Sequence, residues 1–265
     1  MVTLWKWEAE GKAKGVIVLV HNAYEHHRRY VWLIQKFRSD GFHVVAGDLP
    51  GHGKENIEVH AEAFRDYRRF IKKMIRSGLD DNLPVFLFGH GLGATFLLRL
   101  LQMERIDCAG VICTSPWLHL EHHPPIRAKM FTKWSQTMTL DHEITPELLS
   151  RNPEFLEQYA EDPMYVSIVT GGWYRELQTL MKSVMQPDLI IQDVPLLLHT
   201  GEADQITNTD YTRKWAFAQN LSELQLKRWK DVEHDVIQAP EQEGIYLYTL
   251  SFIHNVLHSL GYIIE

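Results

Sequence analysis

The sequence lacks the features that mark several protein classes. It has only two cysteines, Cys108 and Cys113, in or beside one predicted strand, so no disulfide framework is expected and Cys113 is interpreted as core. No window reaches the ~18 apolar residues of a membrane span. The first residues show no basic region followed by an apolar stretch, and the formal charge of −7 argues against nucleic acid as a main partner. We expect a soluble cytoplasmic protein, with transient contact to a membrane surface left open.

Metal-ligand spacing is also missing. The histidines cluster at His26 and His27 and again at His119, His122 and His123, but neither H-E-x-x-H nor paired-cysteine spacing is present. We therefore expect no metal and no cofactor.

What the sequence does contain is a central strand, turn and helix. The apolar run 83–88 ends in Gly89-His90-Gly91-Leu92-Gly93, and a second apolar run follows it. This pattern is typical of a buried parallel strand that turns sharply into a buried helix. It is similar to the nucleophile elbow G-x-S-x-G of α/β-hydrolases, but Gly91 stands where the serine would be.

Strand and helix patterns alternate along the 265 residues, which predicts a single domain with a parallel sheet covered on both faces. Strand signals disappear between residues 116 and 187, where the chain is mostly helical and rich in Trp, Met and Phe. We interpret 116–187 as a helical lid inserted into the domain 1–265. Such an apolar lid suits an acyl chain better than a charged metabolite.

A dinucleotide site is the rival interpretation of the glycines, because Gly89-x-Gly91-x-x-Ala94 satisfies the loose G-x-G-x-x-A pattern. That pattern usually lies in the first βαβ unit and is followed by a strand ending in an acid. Here the turn lies a third of the way along the chain, and the next strand ends in Ser115-Pro116. A nicotinamide-dependent oxidoreductase is therefore the weakest candidate.

Polar clusters follow several predicted strands at their carboxyl ends, where a parallel sheet binds its ligands. The glycine turn, Asp204 and His234 occur in the chain order nucleophile, acid, base that hydrolases of this kind use. Each residue alone has an ordinary alternative, because an Asp after a strand is often a helix cap and a lone His is often a structural contact. Their joint occurrence in the right order favours chemistry.

Several ordered motifs resemble those of the monoacylglycerol lipase/lysophospholipase group of α/β-hydrolases, including bacterial phospholipases. The match covers almost the whole chain and departs from the group at Asn22, where glycine is usual, and at Gly91. The motifs are H-N-A-Y-E-H at 21–26, D-L-P-G-H-G at 48–53, G-H-G-L-G at 89–93, G-E-A-D at 201–204, E-H-D at 233–235, and S-R-N-P-E and D-P at 150–154 and 162–163.

The resemblance implies an α/β-hydrolase fold, a mostly parallel doubly wound sheet with a helical lid insertion. It implies a carboxylic ester hydrolase in which Asp204 orients His234, His234 is the general base and Gly91 occupies the nucleophile position. The backbone N–H groups of Ala23 and Leu92 would be the oxyanion donors. The substrate would be a small acyl ester or lipid, for which we expect contacts from Trp117, Phe131, Trp134 and Trp173. Glu25, His26 and His52 are interpreted as residues that brace the loops.

Glycine cannot attack a carbonyl, so the chain as given is expected to be nearly inert. Two explanations stay open: a hydrolase whose serine was replaced by engineering or recent loss, or a natural pseudoenzyme that binds an acyl or lipid ligand without cutting it. The intact Asp204 and His234 favour the first, and Asn22 favours the second. On the first explanation, Gly91→Ser is expected to confer esterase activity.

Overall fold

A seven-stranded sheet forms the centre of the molecule. The computed structural model describes residues 3–54, 57–125, 135–160 and 162–262. The strand order is β1-β3-β2-β4-β5-β8-β9; β1 is an antiparallel edge strand, and every other neighbouring pair is parallel. These strands are β1 (Leu4–Trp7), β2 (Gly15–Val20), β3 (Phe42–Gly47), β4 (Val85–His90), β5 (Gly110–Thr114), β8 (Leu196–Gly201) and β9 (Leu224–Trp229).

Helices cover both faces of this sheet. In the described part of the chain they are α1 (Val31–Ser39), α2 (Phe64–Leu79), α3 (Gly91–Met103), α4 (Pro146–Leu149), α5 (Pro153–Ala160), α6 (Gly171–Val184), α7 (Thr209–Phe217) and α8 (Gln242–Ser259). Two apolar clusters lie on opposite sides: one joins α2, α3 and α6 to the sheet, and the other joins α1 and α8 to it. Since β2, β4, β5 and β8 are buried along their whole length, their apolar sequence is explained by burial on both faces. The predicted fold class is confirmed.

The expectation that 116–187 holds no strand is wrong. β6 (Thr139–Asp141) pairs antiparallel with β7 (Ile168–Thr170) in this region. Each strand has only three residues, which is too short for a period-two pattern to be recognised. Helices α4, α5 and α6 also lie there or at its end. The lid boundary itself stays a prediction.

The two cysteines are free, and burial raises the pKa of the Cys113 thiol above its usual range. Cys113 lies in β5 with no exposed surface. Among the described residues, no helix combines the length and the apolar character needed to cross a bilayer. The cytoplasmic location stays a prediction.

Candidate active site

Three distant segments meet at the carboxyl edge of the sheet. Asp204 follows β8, His234 follows β9, and Gly91 lies between β4 and α3. The His234 Nδ1 atom lies 2.9 Å from Asp204 Oδ2, and both side chains are fully buried. The structure thus brings Asp204 and His234 into contact, and their catalytic roles stay a prediction.

The Asp204 carboxylate is held by more than the imidazole. Its Oδ1 accepts hydrogen bonds from the backbone N–H groups of Ile206 and Thr207, and its Oδ2 accepts one from the Thr207 hydroxyl. Burial alone would raise the pKa of Asp204, but the contact with His234 and these hydrogen bonds outweigh it and lower that pKa. An ionised Asp204 fixes the ring of His234, with Nδ1–H donating to it and Nε2 left as an acceptor.

The backbone N–H groups expected to bind an oxyanion already have an acceptor. The side-chain oxygen Oδ1 of Asn22 lies 2.7 Å from the Ala23 nitrogen and 2.8 Å from the Leu92 nitrogen. The Asn22 amide nitrogen Nδ2 lies 3.5 Å from His234 Nε2. The carboxamide of Asn22 thus occupies the predicted oxyanion hole and points its amino group at the imidazole.

Gly91 leaves the room that this carboxamide needs. Its backbone φ is +50°, in the left-handed region that glycine tolerates. A Cβ added at this position would lie 2.0 Å from Asn22 Oδ1 and 2.2 Å from Asn22 Cγ. Such distances are far inside van der Waals contact, so a side chain at position 91 and the observed Asn22 conformation exclude each other. The two departures from the family pattern are therefore coupled, which the sequence did not reveal.

A tryptophan forms a hydrogen bond with the second nitrogen of the imidazole. The Trp117 indole N–H donates to His234 Nε2 over 3.0 Å, and Trp117 has no exposed surface. The Trp117 backbone nitrogen lies 3.3 Å from the Gly91 carbonyl oxygen, which holds it beside the turn. Tyr24 packs against it with ring centroids 5.9 Å apart. His234 Nε2, the atom that would take a proton from a nucleophile, thus already accepts a hydrogen bond from Trp117.

The other residues expected to contact substrate are placed differently. Trp173 does not reach His234; its indole N–H donates to the Tyr67 hydroxyl over 2.9 Å, and its ring packs against Tyr24. Phe131 and Trp134 lie outside the described residues.

Loop residues expected to brace the site make contacts of that kind. Glu25 Oε1 accepts from the Asn22 backbone N–H over 2.7 Å and also from the Tyr30 hydroxyl. Burial raises the pKa of Glu25. His26 Nε2 lies 2.8 Å from Asp162 of the D-P element, and His52 Nδ1 lies 3.2 Å from the Pro50 carbonyl oxygen. Glu25 thereby fixes the backbone that carries the Asn22 carboxamide.

Sequence reasoning missed a buried pair beneath the turn. His90 Nε2 contacts Asp235 directly, and the other ring nitrogen lies 2.7 Å from the Thr114 hydroxyl. Ligating atoms of His90, His234 and Asp235 lie within 4.8 Å of one another. Both ring nitrogens of each histidine already have partners, so the cluster is satisfied without an ion. Two signals in the sequence could have indicated this pair: Asp235 directly follows His234 in the E-H-D motif, and His90 lies within the glycine turn.

Comparison with known proteins decides the family. A sequence profile described as Hydrolase_4, serine aminopeptidase S33, matches residues 11–241. The chain belongs to this hydrolase family. Phospholipase YtpA of Bacillus subtilis is 30% identical to this Hydrolase_4 chain over 255 residues, covering 94% of the chain and 98% of the relative. Monoacylglycerol lipase of Mycolicibacterium smegmatis is 24% identical, covering 89% and 87%.

Solved structures agree with the fold of this Hydrolase_4 member. The crystal structure of monoacylglycerol lipase from Paleococcus ferrophilus superposes with a TM-score of 0.83, at 25% identity, over 97% of this chain and 99% of the other. The resemblance to monoacylglycerol lipases and phospholipases is therefore confirmed.

Proposed function

We propose that this chain is a natural non-hydrolytic member of its lipase-like family that binds an acyl ester or lipid. The observation that carries the proposal is the Asn22 carboxamide in the oxyanion hole. Its C=O accepts from the Ala23 and Leu92 N–H groups, where the ester carbonyl of a substrate would bind in an active relative. The side-chain carbonyl of Asn22 thus takes the place of the substrate's acyl carbonyl.

Three features together oppose ester cleavage. Gly91 supplies no nucleophile, Asn22 occupies the oxyanion hole, and Trp117 donates to the imidazole nitrogen that would act as base. A triad without its nucleophile retains roughly 10³–10⁴-fold acceleration over water from the oxyanion hole and binding. Here the oxyanion hole is also filled, so we expect less than that.

The fit between Asn22 and Gly91 supports a pseudoenzyme over a hydrolase that has lost only its serine. A serine at position 91 would collide with Asn22 as it now lies. A single recent replacement would leave a vacant oxyanion hole with glycine at position 22. Two complementary departures fit a site that has been remodelled as a whole.

The ligand class comes from the relatives and from the lining of the site. Relatives that cover nearly the whole chain are named phospholipase and monoacylglycerol lipase. Around His234 the structure places the aromatic rings of Trp117 and Tyr24, which suit an apolar chain. Both rings are buried, so entry of a ligand requires Trp117 to move.

Restoring both positions tests the proposal. We compare the unmodified chain, Gly91→Ser, Asn22→Gly and the double variant Asn22→Gly/Gly91→Ser for labelling by a fluorophosphonate probe and for p-nitrophenyl butyrate hydrolysis. We expect labelling of the double variant, with Gly91→Ser alone at least about 100-fold slower because Asn22 fills the hole. Adding His234→Ala to the double variant should abolish labelling.

Two results would contradict the proposal. Labelling of the unmodified chain would show another nucleophile. Equal rates for Gly91→Ser and the double variant would show that Asn22 does not obstruct the hole. Binding is measured separately by quenching of tryptophan fluorescence with a monoacylglycerol, and the absence of any saturable change would remove the ligand-binding half of the proposal.

A further inference from the structure

Helix α2 carries a row of positive side chains on its outer face. The six basic residues recur at intervals of three and four, so they lie on one side of the helix, while Tyr67, Ile71 and Met74 are buried on the other. We call this row the basic face of α2; it consists of Arg65, Arg68, Arg69, Lys72, Lys73 and Arg76. Such a concentration is unexpected in a chain whose net charge is −7.

Part of the basic face is neutralised by neighbouring acids. Asp66 lies 2.8 Å from the Arg69 guanidinium and 3.9 Å from that of Arg65. Glu104 lies 2.7 Å from the Lys72 ammonium. These pairs satisfy half of the row.

The other half has no acidic partner. Arg68, Lys73 and Arg76 form no ion pair with any residue in the described ranges. They lie within nine residues of helix, about 12 Å at the helical rise of about 1.5 Å per residue. Because the five steps from Arg68 to Lys73 turn the helix by about 140°, these uncompensated cations form a broad, outward-facing positive surface.

A cavity beside this row adds further positive charge. It has a volume of about 420 Å³ between α2, α3 and α6, and Arg65, Arg68 and Arg99 line it. Glu176 also lines it, but its carboxylate accepts from the Phe64 backbone N–H over 2.6 Å at the start of α2. Met103, 52% exposed, completes the rim with an apolar group.

We propose that the basic face of α2 docks on an anionic phospholipid bilayer. A bilayer presents a plane of negative headgroups, which a band of Lys and Arg on one side of a helix can meet along its whole length. Acidic groups elsewhere on the molecule repel that plane only weakly, because salt at physiological ionic strength screens charges that lie more than about 8 Å apart. We favour a bilayer over a nucleic acid as the partner, because the relatives are named as a phospholipase and a monoacylglycerol lipase. The inference holds whether or not the buried site binds a ligand.

Vesicle sedimentation tests the docking. The unmodified chain and Arg68→Gln/Lys73→Gln/Arg76→Gln are mixed with vesicles of phosphatidylcholine alone or with 30% phosphatidylserine. Glutamine preserves helix propensity, so thermal unfolding is expected to change little. We expect binding only to the anionic vesicles, and about a 100-fold lower partition coefficient for the variant, roughly fivefold for each charge removed.

A charge-matched variant provides the control. Arg213→Gln/Lys214→Gln/Lys230→Gln removes three exposed cations elsewhere and should bind within about twofold of the unmodified chain. Binding of the unmodified chain should also weaken steeply as salt rises from 50 to 500 mM. Equal losses in the two variants, or no preference for phosphatidylserine, would overturn the proposal. Binding to double-stranded DNA that depends on the same three residues, without vesicle binding, would overturn it in favour of a nucleic acid.

Discussion

At the scale of single residues, the Asn22 carboxamide fills the space beside Gly91 and the Ala23 and Leu92 N–H groups. Its oxygen satisfies two buried backbone donors, and its position requires that residue 91 carry no side chain. Buried donors without an acceptor are costly, so an empty oxyanion hole would be less stable than the filled one. On the proposed function, these two N–H donors serve internal hydrogen bonding instead of a substrate carbonyl.

The stabilising role of Asn22 has a matched control within the chain. The Asn208 side chain likewise accepts from two backbone N–H groups, but at the exposed start of α7. We expect Asn22→Ala to lower the free energy of unfolding by about 2–3 kcal/mol and Asn208→Ala by only about 1 kcal/mol, because only the first leaves buried donors unpaired. Urea unfolding followed by circular dichroism measures both. Equal losses would show that water replaces the carboxamide.

At the scale of elements, the turn between β4 and α3 depends on close backbone approach. A Cβ added at Gly93 would lie 2.4 Å from the His21 carbonyl oxygen and 2.5 Å from that of Val20, so α3 begins directly against the end of β2. This approach places the Leu92 N–H beside Asn22, which follows β2. The glycine spacing that suggested a hydrolase turn therefore also positions the Leu92 N–H of the predicted oxyanion hole.

Two glycine substitutions separate packing from helix propensity. Gly93→Ala is expected to destabilise the protein by about 1–3 kcal/mol, because its Cβ meets backbone that cannot move aside. Gly244→Ala, near the start of α8, has nothing within 4 Å and should stabilise it by about 0.5 kcal/mol through helix propensity. Thermal unfolding distinguishes the two. A stable Gly93→Ala variant would mean that α3 does not approach β2 as described.

At the scale of the whole molecule, buried histidines link stability to pH. Burial lowers the pKa of His21 and His60 to about 4 and that of His142 and His199 to about 3. These groups stay neutral in the native state, while the unfolded chain protonates them below about pH 6.5. The unfolded state therefore binds more protons between about pH 6.5 and 4, and stability falls as the pH falls through that range.

One buried histidine acts in the opposite direction. Although burial opposes protonation of His90, the contact with Asp235 raises its pKa, so His90 contributes stability that is present below pH 6.5 and is lost as pH rises. Below about pH 6.5 His90 is protonated in both states and adds no slope, so the four histidines with lowered pKa values leave a difference of about four protons, roughly 5 kcal/mol per pH unit. For a domain of ordinary stability, this slope predicts acid unfolding between about pH 5.5 and 4.

Urea unfolding at a series of pH values from 7.5 to 5 measures this dependence. His199→Gln should reduce the slope by about one proton. A stability that is flat between pH 7.5 and 5 would contradict the expected neutral state of these buried rings.

The sequence by itself determined the family, the sheet strands and the order of the segments that meet at the site. These depend on local apolar runs, turn residues and motif order, which are properties of contiguous chain. The same reasoning missed β6 and β7, because three residues carry too little periodicity.

Only the tertiary structure decided how the site is filled. Leu92 and Asn22 are 70 residues apart, and Trp117 and His234 are 117 apart, yet each pair forms a buried hydrogen bond. No local pattern links such positions, because the contacts depend on the space left where the segments after β2, β4, β5 and β9 meet. In the sequence, Asn22 and Gly91 were two separate departures from the family pattern. The structure shows that they are coupled, because a side chain at position 91 would collide with the Asn22 carboxamide.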